Sequence, residues 1–193
     1  MSYGPLPDHE IRDLHIITPC DDRCDQINGI KVPSWGLQSY GYDCRLDENE
    51  FYVFSNAFSN ARGGLIDPRN FDRDLVVQKK PLTDDDGLSY FIVPSNGSAL
   101  GLTKESFNMP PDVIGQVYGK STYSRCALVI NCTLIEPQWR GRLVVELHNA
   151  APIPIKVYAS AGICQVVFLR GTECRNKYQG KYQNQWGLET AKA

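Results

Sequence analysis

The chain lacks the features of a membrane-bound, secreted or nucleic-acid-binding protein. No apolar run approaches the roughly 20 residues that a membrane-spanning helix requires. The amino-terminal stretch MSYGPLPDHEIRDL is polar and acidic, without the apolar core of a signal peptide. Neither sign of charge is in excess, since 20 Lys and Arg against 22 Asp and Glu give a net charge of −2. We therefore expect a cytoplasmic protein that binds neither membranes nor nucleic acid.

Common catalytic signatures are also missing. The sequence contains no Walker A loop, no GxGxxG and no GxSxG. A zinc site of the H-x-E and P-C-x-x-C type does not fit, because residues Pro19 to Cys24 read P-C-x-x-x-C and neither His9 nor His15 begins an H-x-E. The third histidine, His148, is far away in the sequence. We therefore predict no catalytic zinc.

The cysteines and the length indicate one reduced, globular domain over residues 1–193. The 7 cysteines are scattered, and several lie in or beside apolar stretches, which favours free thiols over a disulfide framework. Hydrophobic residues make up 42% of the chain, enough for a sizeable core at this length. No repeat, low-complexity tract or linker divides the chain.

Turn residues and short apolar segments predict an all-β barrel or sandwich with few helices. Gly (16) and Pro (12) occur throughout. One short helix is predicted from Pro7 to Leu14, a long loop over Asn56–Asp74, and a turn or exposed hairpin end over Thr83–Gly87. The remainder reads as short strands, most regular in the second half: Val113–Tyr118, Cys126–Cys132, Arg142–Asn149, Ile153–Tyr158 and Ile163–Arg170.

The strand predicted at Arg142–Asn149 contains an unusual glutamate. Alternation places Leu143, Val145 and Leu147 on one face. The other face carries Arg142, Val144, Glu146 and His148. A carboxylate among apolar residues is costly unless it is paired or has a function. Glu146 is thus a candidate catalytic residue, and the alternative is a surface glutamate with a partner nearby.

Two further segments have the chemistry of an anion site. Gly119–Arg125 (GKSTYSR) follows a strand and offers a small-residue turn, two cations and several hydroxyls, which suit phosphate oxygens; an exposed loop is the alternative. Lys177–Gly187 is polar and aromatic without a core pattern. It reads either as a frayed terminus or as a lid that orders over an anion.

These segments together resemble the deoxycytidine triphosphate (dCTP) deaminases of the trimeric dUTPase-like superfamily. The resemblance covers nearly the whole chain, with the motifs in the family's order and approximate spacing. The motifs are Leu37–Asp43 (LQSYGYD), Ile66–Asp72 (IDPRNFD), Gly119–Cys126 (GKSTYSRC), Thr133–Gly141 (TLIEPQWRG), the VELHN around Glu146, and Gly180–Gly187 (GKYQNQWG).

The resemblance implies a fold, an assembly and a reaction. The fold is a mainly β, distorted barrel of the dUTPase-like type with a few short helices, in a homotrimer with active sites between subunits. A mobile C-terminal segment, about residues 171–193, would close over each site. The reaction is the hydrolysis of dCTP to dUTP and ammonia, which supplies thymidylate synthesis. Mg²⁺ would be held by the triphosphate, and dTTP is expected as a feedback inhibitor.

Family motifs also imply roles for individual residues. Glu146 would shuttle protons, Ser121 would position the water and the base, and Arg125 would stabilise developing negative charge. Glu136 would bind the sugar 3′-hydroxyl. The full predicted nucleotide-binding set is Lys120, Ser121, Thr122, Arg125, Thr133, Ile135, Glu136, Gln165, Tyr178, Lys181 and Gln185.

Different residues of this set would bind different parts of the nucleotide. Backbone groups near Thr133 would read the pyrimidine edge, with Ile135 against the ring. Lys120 and Gln165 would lie near the phosphates, although an edge-strand surface position is an alternative for Gln165. Tyr178, Lys181 and Gln185 would close over the triphosphate.

Three alternative functions follow from the same resemblance. A bifunctional enzyme would also cleave dUTP to dUMP and pyrophosphate. A catalytically silent nucleotide-binding regulator is disfavoured by the presence of Ser121, Arg125 and Glu146. A pure dUTPase is disfavoured because its third motif carries Asp and Tyr in a G-x-x-D-x-x-Y-x-G frame, which Leu134–Gly141 does not match.

Overall fold

The computed structural model of the protein describes residues 3–55 and 65–192. These ranges contain two short α-helices, α1 (Asp8–Asp13) and α2 (Ser121–Ser124), and a 3₁₀ turn at Arg73–Leu75. The strands of the first half are β1 (Gly4–Pro5), β2 (Ile17–Thr18), β3 (Cys24–Ile27), β4 (Ile30–Leu37), β5 (Tyr42–Phe54), β6 (Val76–Gln78), β7 (Leu82–Thr83), β8 (Ser89–Val93) and β9 (Ser98–Asn108). Those of the second half are β10 (Val113–Gly119), β11 (Leu128–Asn131), β12 (Arg140–Asn149), β13 (Ile155–Tyr158) and β14 (Gly162–Arg170).

Most strands belong to one antiparallel sheet that curls on itself. Its main path runs β1-β14-β5-β9-β12-β11, and β10 adds to β14. The sheet curls until β10 meets the chain beyond β11, where Gly115 and Ile135 exchange two backbone hydrogen bonds of 2.9 and 2.8 Å. A separate sheet, β13-β8-β7, lies beside it. The predicted mainly β, barrel-like fold is therefore confirmed.

The core fills the inside of this curled sheet. Phe51 and Phe91 stack with their ring centroids 4.3 Å apart and are almost fully buried. Burying a side chain of this size stabilises the fold by about 1.5–3 kcal/mol. The alternation predicted for β12 is confirmed, because Leu143, Val145 and Leu147 all face the core. Glu146 therefore lies on the opposite face of β12.

The structure corrects several predicted boundaries. The segment predicted as a strand from Cys126 forms β11 only from Leu128, because the chain first turns after α2 through Ala127, whose φ is +63°. The strand predicted from Ile153 begins at Ile155. Residues 56–64 of the loop predicted at 56–74 lie outside the described residues. The remainder of that loop leads into the 3₁₀ turn.

The sequence suggested short strands in the first half of the chain, but two of these strands are long. β5 has 13 residues and β9 has 11. Their pairing shifts register between Leu46 and Phe51, across the polar run Asp47–Glu50. Such a bulge leaves residues unpaired and bends the strand. β5 therefore continues through the polar run, which the sequence pattern reads as an interruption between two strands.

Other local predictions agree with the structure. The predicted N-terminal helix is α1, and Thr83–Gly87 is the tip of the β7–β8 hairpin, where Gly87 donates to the carbonyl of Asp84 at 2.9 Å. Gln165 is not on an edge strand, because β14 pairs with both β10 and β5 at this position. All seven cysteines lie in the described ranges and are free.

None of the described helices is long and apolar enough to cross a membrane.

Candidate active site

A cavity of about 510 Å³ lies against the outer face of β12. Its walls come mainly from the middle of β12, the segment that leads into it, and the C-terminal residues, and Phe54, Phe71 and Leu100 complete them. The predicted site residues that line the cavity are Thr133, Ile135, Glu136, Glu146, Tyr178 and Gln185. The fold therefore brings these predicted residues together, although Thr133 and Gln185 are 52 positions apart in the sequence.

Glu146 holds a buried carboxyl group in the wall of this cavity. It lies in the middle of β12, opposite Leu100 of β9 on one side and Asn131 of β11 on the other. Its Oε2 atom is buried and has no hydrogen-bond partner among the residues that the structure describes. Burial raises the pKa of Glu146 because the charged form loses its solvation. A carboxyl group with a raised pKa is a candidate for accepting and returning a proton.

Cys132 is the polar neighbour of this carboxyl group. Burial raises the pKa of the Cys132 thiol, which keeps it protonated. Its Sγ donates to the carbonyl oxygen of Val144 at 3.7 Å, and its nearness to Glu146 opposes the rise in the glutamate pKa. The protonated thiol is therefore not a nucleophile.

The segment before β12 presents free polar groups to the cavity. The backbone N–H and C=O of Thr133 make no hydrogen bond within the described chain, so they are available to a ligand edge. Ile135 is 3% exposed, and its backbone is held by Gly115. Within the described ranges the Glu136 carboxylate has no ion pair or hydrogen bond. The arrangement places the apolar side chain of Ile135 beside directional polar groups.

The C-terminal residues cover the cavity and are fixed to the start of β12. The Trp139 indole N–H donates to the carbonyl of Tyr182 at 2.7 Å. The backbone N–H of Arg142 donates to the carbonyl of Gln185 at 2.6 Å, and the Gln185 side-chain amide donates to the carbonyl of Arg142 at 2.9 Å. Lys181 contacts the carbonyl of Lys192 and does not line the cavity.

The GKSTYSR segment lies elsewhere on the same chain. Ser121, Thr122 and Arg125 are exposed on or next to α2, and their side chains have no hydrogen-bond or ion-pair partner in the described ranges. They do not line the cavity. Lys120 and Gln165 do not line it either; both side chains meet Asp43 on β5. One chain thus holds the predicted set in two separate places.

The charge of the cavity is one-sided. Three carboxylate residues line it, namely Glu136, Glu146 and Glu189. No lysine, arginine or histidine of residues 3–55 and 65–192 does. A polyphosphate ligand could not be held by these residues alone, since phosphate oxygens require cationic or N–H donors.

The described residues contain no group of three His, Cys, Asp or Glu side chains placed to hold a metal ion.

Several cavity residues were not predicted from the sequence. Val144 could have been found, because the alternation of β12 places it on the same face as Glu146. Trp139 and Tyr182 lie inside the quoted motifs. Leu100 and Glu189 carry no signal, because strand register and tail docking bring them to the cavity.

A buried, unpaired carboxyl group in the wall of a covered cavity is characteristic of an enzyme site that moves protons. A family profile described as dCTP deaminase-like matches residues 6–171. The chain belongs to the dCTP deaminase-like family.

Individual relatives agree with this assignment. The dCTP deaminase of Helicobacter hepaticus is 42% identical over 173 residues, which cover 88% of this chain and 87% of the relative. The dCTP deaminase of Campylobacter hominis is 43% identical over 177 residues, which cover 90% and 85%.

A solved structure shares the fold. The crystal structure of 2′-deoxycytidine 5′-triphosphate deaminase from Agrobacterium tumefaciens superposes with a TM-score of 0.57 and 19% identity. The match covers 89% of this chain and 49% of the solved chain, so this chain spans about half of that protein.

Proposed function

We propose that this protein is a hydrolytic deaminase that converts dCTP and water to dUTP and ammonia. The observation that carries the proposal is the Glu146 carboxyl group, buried, without a partner at Oε2, and set in a cavity wall. Family membership and the names of relatives that are 42% and 43% identical support dCTP as the substrate. In the cytoplasm, the proposed location, the dUTP formed would supply thymidylate synthesis.

Glu146 can perform the proton transfers of this reaction. Its carboxylate takes one proton from a water molecule as the water oxygen bonds to C4, and delivers that proton to N3 of the ring. The tetrahedral carbon then carries a hydroxyl and an amino group. Glu146 moves the hydroxyl proton to the amino group, ammonia leaves, and the C4 carbonyl forms. The carboxyl group ends in its initial state, as a proton shuttle must, and its pKa is raised from the ordinary glutamate value.

The free groups beside Glu146 suit a deoxynucleoside. Thr133 offers unpaired backbone groups to the edge of the pyrimidine, and Ile135 offers an apolar surface to its ring. The Glu136 carboxylate can accept a hydrogen bond from the 3′-hydroxyl. Tyr178 and Gln185 cover the cavity, which would exclude bulk water from the reacting atoms.

We infer that a second copy of the chain completes the site in a homotrimer. The cavity has three carboxylates and no lining cation within the described ranges, whereas a triphosphate carries several negative charges. Ser121, Thr122 and Arg125 supply the missing hydroxyls and guanidinium, and none of them has a partner in the described part of its own chain. In the trimer, Ser121 of one subunit would position the water and Arg125 would stabilise charge near Glu146 of the next.

Mg²⁺ would enter this site with the nucleotide. No three potential ligand side chains converge in the described ranges, so we propose that triphosphate oxygens and water hold the ion. Bound there, Mg²⁺ neutralises phosphate charge. The proton transfers use Glu146 and require no zinc.

A product assay tests the proposal. The purified protein is incubated with dCTP and Mg²⁺, and ammonia, dUTP, dUMP and pyrophosphate are measured. Ammonia with dUTP supports the deaminase, and dUMP with pyrophosphate indicates the bifunctional enzyme. Nucleotide binding without product indicates a silent regulator. Adding dTTP to the same assay tests the proposed feedback inhibition.

Mixed trimers test the shared site. Glu146→Gln and Ser121→Ala should each retain the fold and nucleotide binding but lose most of their turnover. If one site draws these two residues from different subunits, refolding the variants together restores part of the ammonia release, because some sites then have both native residues. A mixture no more active than the separate variants contradicts the shared site.

A further inference from the structure

A second cluster of charged groups lies away from the cavity, where β5, β14 and the end of β10 meet. Asp43 and Lys120 form an ion pair of 2.5 Å between Oδ2 and Nζ. Their side chains are only 6% and 11% exposed. Gln165, the residue of β14 opposite Asp43, lies beside the same carboxyl group and opposes the rise in its pKa. Backbone pairing also joins the three strands here, so the cluster is not their only link.

Placing these charges in the interior has a cost. Burial raises the pKa of Asp43, and the Lys120 ammonium opposes this effect. A buried ion pair is often no more stabilising than apolar packing of the same volume, so stability alone is weak grounds for it. Gly162 packs beside this cluster, where a Cβ would come 1.9 Å from the carbonyl oxygen of Ser34 and 3.2 Å from Cε of Lys120.

Lys120 directly precedes α2 and begins its hydrogen bonding. Its carbonyl accepts hydrogen bonds from the backbone N–H groups of Tyr123 and Ser124, both at 3.0 Å. The Tyr123 side chain also points inward, and its hydroxyl oxygen accepts from the backbone N–H of Tyr158 at 2.9 Å. These two inward attachments leave Ser121 and Arg125 exposed on the other side of the turn.

We infer that Asp43 is a positioning residue that holds α2, through Lys120, in the orientation that presents Ser121 and Arg125 to the reaction. The inference rests on the proposed function, because the roles of Ser121 and Arg125 belong to it. It gives Lys120 a task different from the direct phosphate contact that the sequence predicts. The two tasks have different kinetic consequences.

Enzyme kinetics with Asp43→Asn and Lys120→Met distinguish these tasks. Displacing a catalytic group by about 1 Å can cost about 100-fold in rate. We therefore expect kcat to fall by about 10- to 100-fold in each variant, with KM for dCTP within about threefold of the wild-type value. The double variant should be no slower than the slower single variant, because both changes remove one interaction. Lys120→Arg should recover much of the lost kcat.

A matched control is Asp84→Asn, which breaks the ion pair of 3.3 Å with Lys156 at the β7–β8 hairpin. It should leave kcat unchanged. All rates are measured below the unfolding transition and per folded protein, so that a loss of stability alone does not lower kcat. If Asp43→Asn does not fold, Lys120→Met and Gln165→Met provide the same comparison.

Three results would overturn the inference. One is a raised KM with unchanged kcat in Lys120→Met, which would make Lys120 a phosphate ligand. Another is wild-type kcat per folded protein in every variant. The third is a kcat that returns to normal when Mg²⁺ is increased, which would make Asp43 act on the metal. Failure of the proposed function is distinguishable, because the wild-type protein would then release no ammonia.

Discussion

Gly141→Ala should release the C-terminal residues from the cavity. Gly141 is the second residue of β12 and has a φ of +147°, and it pairs with Gln185 of the tail. A Cβ at this position would lie 2.5 Å from the carbonyl oxygen and 2.9 Å from the nitrogen of Gln185. Both contacts are with backbone, so no side-chain rotation relieves them and the tail itself must move.

The size of the effect follows from the bonds that the movement breaks. Arg142 donates to Gln185, Gln185 donates back to Arg142, and Asn184 donates to the carbonyl of Arg140 at 2.9 Å. At about 1 kcal/mol net for each bond, docking weakens by about 3 kcal/mol, or roughly 100-fold in its equilibrium constant. The positive φ costs an alanine a further 1–3 kcal/mol, approximately, which should lower the melting temperature by several degrees.

Limited proteolysis measures the docking directly. Trypsin can cut after Arg175, Lys177 and Lys181. When opening is fast, the cleavage rate follows the population of the open tail. We expect cleavage to accelerate by roughly 100-fold in Gly141→Ala, together with a loss of kcat/KM for dCTP. The control is Gly187→Ala, which adds a Cβ with no heavy atom within 4 Å. Wild-type protection and activity in Gly141→Ala would refute the reasoning.

Three further predictions concern the reacting carboxyl group and the metal. Glu146→Gln should raise the melting temperature at neutral pH. In the wild-type protein, burial raises the pKa of Glu146 and makes its ionisation costly in the folded state, and glutamine does not ionise. The gain should vanish below the ordinary glutamate pKa of 4.5 and grow as pH rises; a gain independent of pH would contradict it. Cys132→Val removes a neighbour that opposes the rise in the Glu146 pKa, so that pKa should rise further and the acid limb of the pH profile of kcat/KM should move to higher pH, with Cys126→Val as the control. An unchanged limb would exclude this influence of Cys132. EDTA should abolish turnover until Mg²⁺ is restored, whereas a zinc-selective chelator should not; the reverse pattern would refute a magnesium-dependent, zinc-independent reaction.

Local patterns were sufficient to predict the parts of the fold in which apolar residues recur at one constant spacing. β12 alternates strictly, so its core face and the opposite position of Glu146 could be predicted from spacing alone. The TDDDG run has the residues of a tight turn, and it forms one. The length of β5 was not predictable in this way, because the bulge after Leu46 lets polar residues continue a strand that the sequence pattern would end.

The lining of the cavity was predictable where its residues are concentrated in one motif. Glu136, Glu146 and Gln185 all lie in motifs of the family, and all line the cavity. Leu100 reaches it only through the register of β9 with β12, a long-range pairing that short sequence windows do not contain. The ion pair of Asp43 with Lys120 also joins residues 77 positions apart.

The two parts of the proposed site shift the pKa of Glu146 in opposite directions. Within one chain, burial raises its pKa, and the cavity offers no lining cation among the described residues to counter the effect. A guanidinium within about 4–6 Å lowers the pKa of a carboxyl group. The arrival of Arg125 from a neighbouring subunit would therefore lower the pKa of Glu146 and oppose the effect of burial. A proton shuttle must both accept and release a proton, so its pKa decides how readily it does each. On this reasoning assembly would do more than add a phosphate contact, because it would also change the basicity of the group that transfers the proton.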